Sequence, residues 1–247
     1  MRTGVLRCGY GLWPGSTDRD PNSGAMSGWV PAVTKELGKK LGLKIEWTAE
    51  FLLGQEAELL KTGKVDALCT SDGPWVYTNA AFVDWTHPMA YYPIYLVTRA
   101  SETRFKTIED FNSPKVTFST IDGDTSATLQ AELTPQAKRL DVPQSGDLSL
   151  LVLNVDTGKA DAAFLDDQTM KRVAEKTPIK LKKFSEAPMI VVPASFSVKK
   201  GETELLQMLN QGFDMLKDMG ITAKIFEKQG LKESAFMPAR SWQPWEK

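Results

Sequence analysis

The chain has 247 residues, 42% hydrophobic and 25% charged, with 30 Lys+Arg against 31 Asp+Glu. That is the balance of a soluble globular protein, long enough for one large or two modest domains. A net charge of −1 supplies no bulk attraction to nucleic acid or anionic membrane, and no apolar run approaches the ~20 residues that span a bilayer.

In chain order, the opening MRTGVLRCGYG runs almost directly into strand-like sequence. It shows neither the basic n-region nor the apolar h-region of a signal peptide, so none is expected here, although the mature form of an exported protein would read the same way. Cys8 and Cys69 both sit in apolar strand-like runs. They are expected to be buried thiols, with a disulfide as the alternative in an oxidising compartment. SGWVPAVTKELGKKLG places Val30, Val33, Leu37 and Leu41 at helical spacing, with Gly42 as its stop. LKIEW reads as a second strand and GQEAELLK as a helix closed by Thr62-Gly63. The next strand is apolar through Cys69 and ends in Thr70-Ser71-Asp72-Gly73.

PIYLVTR (93–99) is another buried strand, followed by the polar stretch ASETRFKTIEDFNS. KVTFST (115–120) begins a strand that leads through Asp122-Gly123-Asp124 into the helix TSATLQAEL, with Thr125 or Ser126 near its cap. LSLLVLNVD is followed by Thr157-Gly158 and by an apolar strand that ends in Asp166-Asp167. MIVVPASFSV (189–198) is a further buried strand. LLQMLNQGFDMLKDMG sets Leu205, Leu206, Leu209, Phe213 and Leu216 on one helical face, with Gly220 as stop, and ITAKIFEKQG reads as a last helix. The tail ESAFMPARSWQPWEK, which holds Trp242 and Trp245, reads as a segment packed by its aromatics.

One hexapeptide is written twice, as TGKVDA (62–67) and TGKADA (157–162). In each copy a glycine in C-cap position is followed by a short apolar run suited to a buried parallel strand. Each strand then ends in polar residues. Ligands of open α/β sheets bind beyond the carboxyl ends of their strands. Two such ends predict two similar α/β halves facing each other across a shared crevice.

The order of these motifs resembles the periplasmic amino-acid-binding proteins of ABC importers, within the bacterial extracellular solute-binding family. The resemblance rests on VLRCGY with Trp13-Pro14, SGWVPAVTKELGKKLGLKIEW, LLKTGKVDAL, FVDWTHP with PIYLVTR, KVTFSTIDGDTS, TGKADAAFLDD and the segment from FSVKKGE to EKQG, in the family's order across nearly the whole chain. It implies an α/β protein of the type II periplasmic binding fold, two Rossmann-like lobes joined by two hinge strands. Lobe 1 would be residues 1–97 with 192–247, and lobe 2 an insertion over 98–191, with hinges near 95–99 and 191–194. The resemblance also implies a periplasmic monomer without cofactor, metal or catalysis. It would close over a small-molecule ligand and dock on a membrane ABC permease, with no nucleic-acid partner.

For the cleft, the resemblance assigns to Trp13 the aromatic that stacks on the ligand and to Asp166 the acid that holds a ligand ammonium. It expects an arginine about five residues before Asp84, to grip an α-carboxylate in two-pronged fashion. Asn79 stands at that place, and no arginine occurs from Thr70 to Trp85. In the loop Gly123-Asp124-Thr125-Ser126 an acid stands where a hydroxyl is usual. Asp124 would satisfy the helix end itself and repel an incoming carboxylate. A plain helix cap is the alternative role for Asp124 and Asp166, and a turn for Asp72. Candidate contacts are therefore Trp13, Thr70, Ser71, Asp72, Trp75, Asn79, Asp124, Thr125, Ser126 and Asp166. Trp29 also falls near the predicted cleft loops, whereas Trp47 and Trp85 suit the core. Aromatics beside carboxylates hold cations by about 0.5–2 kcal/mol per ring. The expected ligand is an amine, another cation or an aromatic molecule of amino-acid-like size.

Enzyme motifs are lacking: there is no G-x-S-x-G, H-E-x-x-H, Walker loop or Cys-x-x-Cys. The only histidine, His87, fits a structural role, and nothing has metal-ligand spacing. Two other readings stay open. One is a ligand sensor of the same fold; the other, less favoured, is a small-molecule lyase or dehydratase using Asp72, Asp124 or Asp166 as acid or base.

Overall fold

The computed structural model describes residues 4–73, 81–143, 149–231 and 237–238. The first half runs β1 (Val5–Tyr10), a short ribbon of β2 (Asp18–Arg19) and β3 (Met26–Ser27), α1 (Trp29–Leu41), β4 (Lys44–Glu50), α2 (Glu56–Lys61) and β5 (Ala67–Asp72). β1 pairs in parallel with β4 and β5, giving the order β4-β1-β5. The helical spacing read for α1 is realised: Val30, Val33 and Leu37 are fully buried, and Gly42 ends the helix at φ 66°.

β6 (Val83–Trp85) and β7 (Ala90–Arg99) lead to the second half. A 3-10 turn over Ile108–Phe111 precedes β8 (Thr117–Ile121), α3 (Thr125–Leu133), β9 (Lys138–Val142), α4 (Leu150–Asp156), β10 (Ala162–Leu165) and α5 (Asp167–Ala174). β8 pairs in parallel with β9 and β10, so the order β9-β8-β10 repeats that of the first half. β11 (Leu181–Lys183) pairs with β7, and β12 (Ile190–Lys199) returns to the first half. There α6 (Thr203–Asp218) and α7 (Ile221–Lys228) pack on α1. β13 (Met237–Pro238) lies beside Ala90 and Tyr91 of β7, while the rest of the tail, with Trp242 and Trp245, lies outside the described residues.

β7 and β12 link the two halves. They pair antiparallel over 90–94 and 190–194, and then each changes partner. From Tyr95 onward β7 pairs with β10, while from Ser195 onward β12 pairs with β5. This is the two-lobe α/β fold that the motif order implied.

The repeated hexapeptide is one joint built twice. Gly63 and Gly158 follow α2 and α4 at φ 66° and 79°, a region glycine enters without steric cost. The aspartate of each copy then grips the first strand of its own half. The Asp66 carboxylate accepts from Arg7 N at 2.8 Å, and the Asp161 carboxylate accepts from Thr117 N at 2.9 Å. Each is ringed by guanidinium, Arg7 on Asp66 and both Arg99 and Arg104 on Asp161.

Two expectations are corrected by the packing. Cys8 and Cys69 are not thiols but form a disulfide, with Cα atoms 5.4 Å apart. Both are buried as expected; their bonding follows from β1 and β5 being sheet neighbours, which composition does not reveal. Trp29 is not near the cleft. It is fully buried at the start of α1, edge-on to Phe226 at 5.2 Å. Trp47 and Trp85 pack against core clusters, Trp47 edge-on to Tyr10 at 5.8 Å.

Candidate functional site

The carboxyl ends of β1, β4 and β5 from one half, and of β8 and β10 from the other, meet at a cavity of about 400 Å³. Trp13, Thr70, Ser71, Asp72, Asp124, Thr125, Ser126 and Asp166 all line it. Trp75 and Asn79 lie outside the described residues.

On the first wall, Trp13 is carried by a loop that is tightly held. Trp13 N donates to Thr17 O at 2.9 Å, and Gly15 N donates to the Asp18 carboxylate at 2.9 Å. The Ser16 and Ser71 hydroxyls hydrogen-bond at 2.8 Å, tying this loop to the end of β5. Trp13 and Leu53 also pack against the second half's core cluster around Leu151 and Leu165. The two halves thus meet around the cavity.

On the second wall, two acids open two helices. Asp124 has extended backbone (φ −95°, ψ 167°), and its carboxylate accepts from Ser126 N at 2.9 Å, which makes it the N-cap of α3. The cap is thus Asp124 itself, while the Ser126 hydroxyl turns back to accept from Ile121 N at 3.1 Å. Asp166 caps α5 in the same manner, accepting from Thr169 N at 2.8 Å and from Thr169 Oγ1 at 2.7 Å. For both acids, capping and facing the cavity turn out to be compatible.

Burial pushes the Asp124 and Asp166 carboxyls above the ordinary aspartate value, against hydrogen bonds from Ser126 and Thr169 that favour the charged form. Tyr92, on β7 between the two walls, has its phenol pushed well above the usual range, first by burial and then by the charges of Asp72, Asp124 and Asp166. Glu50 also lines the cavity, drawn toward Arg19 at 3.7 Å. Among the described residues that line the cavity, none is Lys, Arg or His. The chemistry offered is negative charge with the aromatic rings of Trp13, Phe51 and Tyr92.

Sequence reasoning missed Glu50, Phe51, Tyr92, Ile94 and Thr169. Tyr92 and Ile94 are alternate residues of one strand, so they point to one face. That alternation was legible in AYYPIYL, but not which face met the cavity. His87 lies elsewhere, exposed, with Nδ1 3.1 Å from the Asp214 carboxylate. Among the described residues, no group of three His, Cys, Asp or Glu is placed to hold a metal ion, and no helix is long and apolar enough to cross a membrane.

Comparison with known proteins agrees with this geometry. The sequence profile of the bacterial extracellular solute-binding proteins, family 3, matches residues 13–231. A probable histidine-binding protein of Campylobacter jejuni is 25% identical over 211 residues, which are 84% of this chain and 78% of the relative. Among solved structures, an ancestral amino acid-binding protein described as a precursor of cyclohexadienyl dehydratase superposes with a TM-score of 0.77 at 24% identity, covering 92% of this chain and 96% of that one. A putative L-cystine ABC transporter protein from Listeria monocytogenes gives a TM-score of 0.77 at 18% identity, covering 94% of this chain and 98% of that one.

Proposed function

This chain belongs to the bacterial extracellular solute-binding proteins, family 3, and we propose that the solute it captures between its lobes is a small organic cation, either an amine or an aromatic cation, for delivery to an ABC permease in the membrane. The observation that carries the charge assignment is the set of carboxylates Asp72, Asp124 and Asp166 around Tyr92, in a cavity whose described lining holds no basic residue. Burying uncompensated negative charge is costly, and a cationic guest offsets that cost.

In this reading Asp166 meets the ligand nitrogen, Trp13 covers it with an aromatic face, and Asp72 and Asp124 complete the negative wall. Thr70, Ser71, Thr125 and Ser126 shape the remaining surface, and Trp75 and Asn79 contribute from the segment after β5. Lobe 1 comprises residues 1–97 with 192–247, and lobe 2 comprises 98–191. The partner exchange of β7 and β12 supports hinges at 95–99 and 191–194. The protein acts as a periplasmic monomer, without nucleic acid, and leaves its ligand unchanged.

Native mass spectrometry of the purified protein gives the mass of any co-purifying ligand. Calorimetry against benzylamine and choline, each paired with a neutral isostere, tests the charge assignment. Binding of the cations and not of the isosteres is expected; binding of the isosteres alone would overturn it. The relative described as a precursor of cyclohexadienyl dehydratase favours a lyase as the second reading, and turnover of a bound compound would establish it.

A further inference from the structure

The proposed function leaves open how many charges the ligand carries and whether it has a carboxylate. An answer to both rests on that reading and on how the acids are distributed. Asp72 ends β5 on the lobe 1 wall, while Asp124 and Asp166 open α3 and α5 on the lobe 2 wall. One ammonium balances one of these charges and leaves the opposite wall negative.

The same arrangement closes the places where a ligand carboxylate would bind. A free helix N-terminus attracts anions through its unsatisfied N–H groups and its dipole. Here the Ser126 amide is taken by Asp124 at 2.9 Å, and the Thr169 amide by Asp166 at 2.8 Å. The Thr169 hydroxyl also donates to Asp166, and the Ser126 hydroxyl accepts from the backbone of β8. A carboxylate arriving at either helix end would meet a fixed carboxylate. The sequence also has no arginine from Thr70 to Trp85 to compensate on the other wall. Between the acids the cavity is lined by Phe51, Leu53, Ile94 and Phe164, which suit methylenes rather than charge.

We propose that the ligand is a dication without a carboxylate: two positively charged nitrogens joined by an apolar spacer, one nitrogen at Asp72 and the other at Asp124 and Asp166. Binding bridges the lobes electrostatically, so the second nitrogen contributes to closure as well as to recognition.

The test is calorimetry with the α,ω-diamines from 1,3-diaminopropane to 1,8-diaminooctane, the monoamine of the same length as the best of them, and lysine. Lysine is 1,5-diaminopentane with a carboxylate added. The best diamine is expected to bind at least about tenfold tighter than its monoamine, and 1,5-diaminopentane tighter than lysine by a similar factor. Asp72→Asn should reduce the preference for diamine over monoamine to within about threefold, with an unchanged circular-dichroism spectrum as the control for folding. If monoamine and diamine bind equally, the dication is overturned while the organic-cation reading stands. If lysine binds as tightly as 1,5-diaminopentane, the exclusion of a carboxylate is overturned. If no amine binds and neutral aromatics do, the proposed function itself falls. The wild-type series decides these outcomes even if Asp72→Asn fails to fold.

Discussion

A Cβ built on Gly15 would stand 2.5 Å from Gln168 Nε2 and 2.7 Å from Arg172 Nε. The loop that carries Trp13 therefore meets α5 of the other lobe at a point where any side chain would intrude. Gly15 also has φ +78°, in the left-handed region, where replacing glycine costs about 1 kcal/mol.

The first prediction contrasts two glycines. Gly15→Ala meets the ends of flexible side chains, which can move, so the variant folds with a loss of about 1 kcal/mol and binds its ligand several-fold more weakly because closure is hindered. Gly28→Ala meets the backbone carbonyl of Ser16 at φ +104°, where nothing can yield, so it loses several times more stability. Urea midpoints and calorimetric affinities separate the two. Equal destabilisation by both would show that the Gly15 contact is not a lobe-to-lobe seam.

The Cys8–Cys69 disulfide closes a sequence separation of 61 residues. Loop-closure entropy for that length corresponds to about 4 kcal/mol. The double variant Cys8→Ala/Cys69→Ala, or wild type under strong reductant, should lose about 2–4 kcal/mol in urea unfolding. A thiol titration of the denatured, unreduced protein should find none, and should find both after reduction.

Ligand affinity should fall with pH. The Asp124 and Asp166 carboxyls lie above the ordinary value of 3.8 because they are buried, and they face Asp72, Glu50 and the Tyr92 phenol across the cavity. In the empty protein their contribution to stability is fully present below the unfolded value, and it is lost as pH rises through the raised folded value. A bound cation has the opposite need, since it stabilises the ionised form. Binding should therefore release protons on the acidic side and weaken as pH drops through that range. Calorimetry in two buffers of different ionisation enthalpy measures the protons directly; an affinity independent of pH down to 4 would count against cation contact with these acids.

Trp13→Ala should weaken binding of a cationic ligand by about 2- to 30-fold, the worth of one aromatic face, with little change in the unfolding midpoint. The same variant should remove most of any ligand-induced change in tryptophan fluorescence. A loss of stability with unchanged affinity would place Trp13 in packing alone.

Far from the cleft, the Arg104 hydrogen bonds draw the Glu102 carboxyl down from 4.5 to about 2. Arg104 Nη2 lies 2.6 Å from it and Arg99 Nη2 3.2 Å. Because the folded value is depressed, the contribution is fully present above 4.5 and lost as pH falls through about 2. Glu102→Gln should lower the urea midpoint at neutral pH, and the gap to wild type should close progressively below pH 4.

The sequence by itself determined the elements and the doubled plan of the chain. Helical spacing in α1 and α6, the glycine stops at Gly42, Gly158 and Gly220, and the twin hexapeptides are all written in short-range terms: apolar periodicity, left-handed glycine and a polar strand end. Those energies act within a few residues, so they can be read without knowing what lies opposite. The missing arginine and the acid at position 124 were legible for the same reason. Only the tertiary structure decided that Cys8 lies beside Cys69, that Trp29 is core, that Asp124 caps α3 while facing the cavity, and that Tyr92 stands within the fields of Asp72, Asp124 and Asp166. Each of those depends on which strands become neighbours and which face of β7 meets the cleft, outcomes set by the sum of contacts between residues distant in the chain.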